Sequence, residues 1–162
     1  MPVVIDTFRA EHARAFAELN RAWLTAYGLL EAPDELHLTD PVGRILEPGG
    51  EIFIALEDGR VIGTCAAVPH GPGVFEVAKL AVDPAARGRG IGRQLAEACL
   101  AYIRRRGARL VVLASNSRLE AALRLYEQLG FHRAPPPPTL PYTTADVYME
   151  LELAPEGPAA GA

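Results

Sequence analysis

Apolar positions along this chain follow two periods, and the places where one gives way to the other outline its elements. Spacings of three and four predict a helix over Glu11–Ala26, with Ala15, Leu19, Trp23 and Ala26 on one side. The same period returns over Gly90–Arg106, where Ile91, Leu95, Ala98, Cys99, Tyr102 and Ile103 form the apolar face and Gly107 stands as the C′ residue. A further helix is expected over Ser117–Leu129, opened by the capping-box pattern Ser117-x-x-Glu120 and ended by Gly130. Strand-like runs occupy Val3–Phe8, Glu51–Glu57, Arg60–Val68, Val74–Val82, Leu110–Ala114 and Ala145–Leu153, and a short one begins at Phe131. Asp58-Gly59 between two of them is a type I′ hairpin signal. The pattern is weakest after Tyr27, where a turn and a short second helix are placed near Asp40–Leu46, before Pro48-Gly49-Gly50. Ala134–Pro141 holds five prolines and is expected to be extended and irregular. The order is that of a mixed α/β domain on one central sheet, spanning residues 1–153, with a flexible Pro/Gly/Ala-rich tail over 154–162.

Composition narrows the function classes. The 162 residues suit a single domain, and 49% hydrophobic with 22% charged residues suffices for a packed core. A net charge of −4 argues against a nucleic-acid partner. Arg104–Arg106 falls in the last turn of the predicted helix, where cations complement the helix dipole. The N-terminus shows neither a basic leader nor a long apolar run, so no membrane segment is expected. Cys65 and Cys99 sit in apolar segments and read as buried thiols of a reducing, cytoplasmic compartment. Neither they nor His12, His37 and His132 show metal-ligand spacing, so no metal is expected.

Candidate chemistry concentrates after the apolar run that ends at Val82. Asp83-Pro84 breaks the strand, and Arg87, Gly88, Arg89, Gly90, Ile91, Gly92 and Arg93 lead into the helix. Glycines let backbone N–H groups approach an anion closely, and a helix N-terminus favours the same charge. This reads as a diphosphate cradle; the alternative is a tight turn without a ligand. The glycines are each two apart, which is not the dinucleotide fingerprint, and no Lys-Ser/Thr follows as a P-loop needs.

The pattern Arg87-x-x-Gly90-x-Gly92 resembles the acetyl-CoA pyrophosphate loop of the GNAT acetyltransferases. Downstream, Asn116, Ala122, Leu125-Tyr126 and Gly130-Phe131 resemble that family's second half, in the right order. The resemblance covers nearly the whole chain and implies a single-domain, mostly antiparallel sheet flanked by helices. It implies a V-shaped splay between Val74–Val82 and Leu110–Ala114, with acetyl-CoA as co-substrate in the V. Backbone groups at Leu80, Ala81 and Val82 would bind the pantetheine arm and polarise the thioester carbonyl, and Arg87–Arg93 would hold the diphosphate. The activity implied is direct acetyl transfer, in a ternary complex, to a primary amine of a small molecule, an amino-acid-like compound or a peptide. Homodimers are frequent in similar proteins. The alternative class is a non-catalytic acetyl-CoA-binding sensor or regulatory module.

Individual residues carry two readings each. Tyr126 matches the family tyrosine and would be the general acid for the departing sulfur; its helical face, shared with Leu119, Ala122 and Leu123, also suits core packing. Glu76 is the candidate general base, or else the group that binds the acceptor's ammonium or a surface carboxylate. Strand alternation places Glu76, Ala78 and Leu80 on one face and Val77, Lys79 and Ala81 on the other. Asn116 is either a cofactor contact or a helix cap, and Ser117 is the better cap. His70 reads as an exposed turn residue, Trp23 and Tyr27 as core or pocket wall, and Tyr142 as a residue that could close over the acceptor. Cys65 lacks a supporting base and is not read as a nucleophile.

Overall fold

A computed structural model describes residues 2–154, so the tail assigned to 154–162 lies, but for its first residue, outside the described residues. Strand β1 (Val4–Thr7) leads through a 3-10 turn at Ala10–His12 into α1 (Ala13–Ala26), followed by α2 (Ala32–Thr39) and a π-type turn at Val42–Leu46. A meander follows: β2 (Glu51–Glu57), β3 (Arg60–Pro69) and β4 (Val74–Val82). Then come α3 (Ile91–Arg105), β5 (Leu110–Ser115), α4 (Glu120–Gln128), β6 (His132–Arg133) and β7 (Val147–Glu152). The strands form one sheet in the order β1-β2-β3-β4-β5-β7-β6, antiparallel throughout except for the pair β4–β5.

Both faces of the sheet are covered, which explains the unbroken apolar run in β2. Phe53 and Ala55 point to the side of α3 and α4, where Leu95, Cys99, Ile103 and Leu123 pack. Ile52 and Ile54 point to the other side, against Phe16 of α1 and Leu38 of α2. The hairpin between β2 and β3 has positive φ at both Asp58 (52°) and Gly59 (74°), as a type I′ turn requires.

The structure corrects three expectations. The second helix lies at Ala32–Thr39 rather than Asp40–Leu46. Pro33 fits its first turn, and Asp34 Oδ2 accepts from the Glu31 N–H at 2.9 Å, so its start is fixed by local capping instead of apolar period. The buried stripe of α1 is Phe16, Ala17 and Asn20, with Ala15, Leu19 and Trp23 half-buried on its flank and Ala26 exposed. Helix α4 begins at Glu120, three residues later than Ser117. Ser117 does not cap it, because Asp146 from the loop before β7 takes both its N–H (2.8 Å) and its hydroxyl (2.7 Å).

Candidate active site

The parallel pair β4–β5 is short. Val74, Phe75 and Glu76 lie opposite Leu110, Val111 and Val112, and there the pairing stops. β4 runs on to Val82, while β5 runs on to Ser115 against β7. The two strands therefore part like a V, and beyond Glu76 the β5-facing edge of β4 has no strand partner. Backbone N–H and C=O groups on such an edge must find partners elsewhere.

A cavity of about 110 Å³ fills the V, lined by Glu76–Leu80 on one arm, Ala114–Asn116 on the other, and Tyr126 of α4. Trp23, Asp34 and Tyr142 close it from the α1–α2 side. A second cavity of about 220 Å³ shares Trp23 and Leu80 with it and extends along Val82, Arg87, Gly88, Gly90, Ile91 and Gly92 to Ala122 and Leu125. The structure thus brings Glu76, Leu80, Asn116 and Tyr126 to one cavity and most of the glycine loop to the second. Among the described residues, Ala81, Arg89 and Arg93 line neither.

The glycines of the loop leave its backbone uncovered. Gly88 and Gly90 have φ of 78° and 76°, which suit glycine, and a Cβ built on either would meet nothing within 4 Å. Space is therefore open above the backbone just where α3 begins. Arg87 stacks 4.8 Å from the Trp23 ring centroid. Arg89 pairs with Glu57 at 2.5 Å and Arg93 bonds Gln128, so these two side chains are drawn to neighbours of their own.

Alternation fails within β4. Thr64 lies opposite Ala81 and Ala66 opposite Ala78, leaving Lys79 and Leu80 together across from Cys65 as a β-bulge, with Lys79 at φ 56°. Lys79 consequently turns to the side of Glu76, where Nζ meets Asp34 Oδ1 at 2.5 Å, both side chains only 5% exposed. Leu80, expected beside Glu76, packs instead with the α3–α4 core.

Burial pushes the Tyr126 phenol well above its ordinary range, so it stays protonated and can donate. Its ring meets Phe131 edge-on at 5.9 Å, so it belongs to the core and the cavity wall at once. Burial also raises the Glu76 carboxyl, against the opposing pull of His70 and Lys79. His70 Nδ1, on an exposed side chain, stands 3.8 Å from Glu76 Oε1. Burial likewise raises Tyr142, whose ring centroid lies 5.7 Å from Lys79 Nζ. Asn116 holds the surrounding chain: its Nδ2 donates to Thr144 O (2.7 Å) and its Oδ1 accepts from Arg118 N (2.9 Å).

Asp34, Lys79 and Thr144 line the same cavity and were not singled out from the sequence. Asp34 carried only the signal of a first-turn acid, and alternation sent Lys79 to the wrong face. Among the described residues no group of three or more His, Cys, Asp or Glu side chains could hold a metal ion, and no helix is long and apolar enough to cross a membrane. Cys65 and Cys99 are both buried and free.

The sequence profile of the acetyltransferase (GNAT) family matches residues 10–131. A mycothiol acetyltransferase of Cellulomonas flavigena is 31% identical over 138 residues, covering 79% of this chain and 37% of the relative. The chain spans less than half the length of the curated relatives it matches. Among solved structures, a GNAT-family acetyltransferase from Staphylococcus aureus Mu50 superposes with a TM-score of 0.86 at 16% identity, over 94% of this chain and 100% of that one. An N-acetyltransferase from Thermoplasma acidophilum, solved with coenzyme A, gives 0.74 at 16% identity, over 94% and 100%.

Proposed function

The chain belongs to the acetyltransferase (GNAT) family, and from that premise we propose that it transfers an acetyl group from acetyl-CoA directly to a primary amine. One observation carries the reading: the unpaired edge of β4 lines a cavity that shares Trp23 and Leu80 with a second cavity along the glycine loop at the start of α3. The loop fits a diphosphate, because Gly88 and Gly90 leave open space above their backbone at a helix N-terminus. Acetyl-CoA, when bound, supplies the activated thioester. The chain's own groups do the rest. Backbone from Arg87 to Gly92 holds the diphosphate, and the edge at Leu80–Val82 holds the pantetheine arm and polarises the carbonyl.

Tyr126 keeps its phenolic O–H at the cavity and donates a hydrogen bond to the departing sulfur. Glu76 takes a proton from the acceptor's ammonium, directly or through a water, with His70 Nδ1 3.8 Å from the carboxylate. The acceptor class is a small molecule, an amino-acid-like compound or a peptide. The Glu76 carboxylate in the cavity wall suits an ammonium group. Acceptors of the mycothiol type, named in the relatives, belong in the panel. A homodimer is part of the same reading and rests on the resemblance; sedimentation velocity measures it.

The test is a thermal titration with acetyl-CoA, CoA, NAD and ATP, followed by thiol release with a panel of amines. CoA compounds alone should stabilise the protein, by about 2.7 kcal/mol at a hundredfold excess over Kd. Gly90→Glu, which sets a carboxylate in the cradle, should abolish that shift. Tyr126→Phe should lower kcat and leave the affinity for acetyl-CoA in place. Binding without thiol release from any amine would mean a non-catalytic acetyl-CoA module, and no shift with any CoA compound would overturn the reading.

A further inference from the structure

Lys79 is held at its ammonium and at its carbonyl by groups that the core would otherwise exclude. Among the described residues, the buried polar or charged ones are His12, Asn20, Asp34, Thr64 and Asn116. Two of these bond Lys79, and a third backs one of them. Asp34 of α2 pairs with its ammonium at 2.5 Å. The Thr64 hydroxyl of β3 donates to its carbonyl at 2.8 Å. Asn20 of α1 donates to the Thr64 oxygen at 3.0 Å and to Phe16 O at 2.9 Å, which fixes the direction of the Thr64 proton.

The backbone they grip is one that lysine disfavours. Asp58 and Lys79 are the non-glycine residues with positive φ among those described, and Asp58 is explained by its hairpin turn. Lys79 has no turn to account for it: it stands inside β4, at a bulge in the ladder with β3, and it lines the cavity. Left-handed backbone in a non-glycine residue persists only where the surroundings over-determine it, and such strain gathers at functional sites. A buried ion pair is also a poor way to gain stability, since apolar residues of similar volume serve as well or better. Relaxation of Lys79 to an extended φ would restore alternation, move its side chain to the opposite face, and re-aim every backbone group that follows it.

We infer that Asp34, Thr64 and Asn20 are positioning residues that clamp the β4 bulge at Lys79, and thereby aim the backbone N–H of Leu80, which lines both cavities, at the acyl carbonyl. The inference rests on the proposed acetyl transfer, which gives that N–H its task. It predicts that the Lys79 side chain matters only as the handle of the clamp. Glycine, which adopts φ near 56° without strain, should then substitute for lysine where alanine cannot.

The test compares Lys79→Gly with Lys79→Ala in the full chain. Both lose the ion pair, so the comparison isolates the backbone. Lys79→Ala should lose about tenfold or more in kcat, as small misplacements of reacting groups do, with KM for acetyl-CoA nearly unchanged. Lys79→Gly should keep kcat within about threefold of the parent. The same pair in an Asp34→Asn background leaves no buried charge unpaired, and the glycine member should again be the active one. Backbone 13C secondary shifts of residues 79–81, each taken against its own residue type, report φ without any turnover and should be parent-like with glycine and extended with alanine. Equal loss of kcat in both variants, or unaltered shifts and full activity with alanine, would overturn the clamp. A parent protein that releases no thiol with any amine would instead sink the acetyl-transfer reading, while the shifts would still decide the clamp.

Discussion

Glu76 lies where burial and charge pull in opposite directions. Burial raises its carboxyl above the ordinary range, and the cationic forms of His70 and Lys79 oppose that rise. As a base it works only when ionised, so kcat/KM should rise with pH through a value above that of an ordinary carboxylate and fall as pH drops below it. Glu76→Gln should lower kcat and erase that limb of the pH–rate profile; a profile identical to the parent's would remove Glu76 from the chemistry. Glu76 and Tyr126 could be picked out from the sequence because each sits at a fixed offset from a recognisable feature, the long strand and the Gly130-Phe131 pair. Lys79 could not. A bulge inserts a residue into a two-residue period, and nothing in the string Val77-Ala78-Lys79-Leu80 announces it. Its partner Asp34 stands 45 positions away, on a helix whose place was itself misread.

The elements with strong periods were legible, and those fixed by distant hydrogen bonds were not. The strands of the meander and helix α3 follow their apolar patterns closely. The start of α4 does not, because Asp146 competes for Ser117 across the fold. The segment between β6 and β7 belongs to this second kind. Proline content foretold its irregular backbone, but the bonds that pin it come from elsewhere. Glu31, just before α2, accepts from the N–H and hydroxyl groups of both Thr143 and Thr144. Burial alone would raise the Glu31 carboxyl, yet these four hydrogen bonds outweigh it and hold the group at about 2, below its ordinary 4.5. A group lowered on folding stabilises the fold above its unfolded value and loses that contribution as pH falls through the folded one. The melting temperature should therefore drop between about pH 4.5 and 2 by more in the parent than in Glu31→Gln. Equal slopes over that range would mean that the Glu31 bonds contribute nothing to stability.

At the scale of the whole molecule, the sheet is a partition between two apolar layers, and the position of α3 against it sets where the glycine loop begins. Gly63 of β3 permits that approach: a Cβ there would come within 2.9 Å of Leu95 Cδ1 and 3.3 Å of Ile91 Cγ2. Leu95 is fully buried, so Leu95→Ala should cost about 2–5 kcal/mol in urea unfolding. Gly63→Ala should cost about 1–3 kcal/mol through overpacking. The double variant should cost less than the sum, since one change makes the room the other needs. Strict additivity would show that α3 adjusts its distance freely. The apolar run Ile52–Leu56 marked a strand, whereas the close approach at Gly63 was not legible, because a glycine inside a strand pattern does not name its neighbour.

The parting of β4 from β5 bears on cohesion as well as chemistry. Val74–Glu76 and Leu110–Val112 form a seam of three residue pairs between two leaves, β1 to β4 on one side and β5 to β7 on the other. Past that seam the leaves are joined through what packs around them instead of through the ladder. A guest seated along the open stretch would be gripped by both leaves and would lengthen the join between them. How tightly the protein holds together and whether it is loaded would then be one property, and an empty molecule would come apart first along this line.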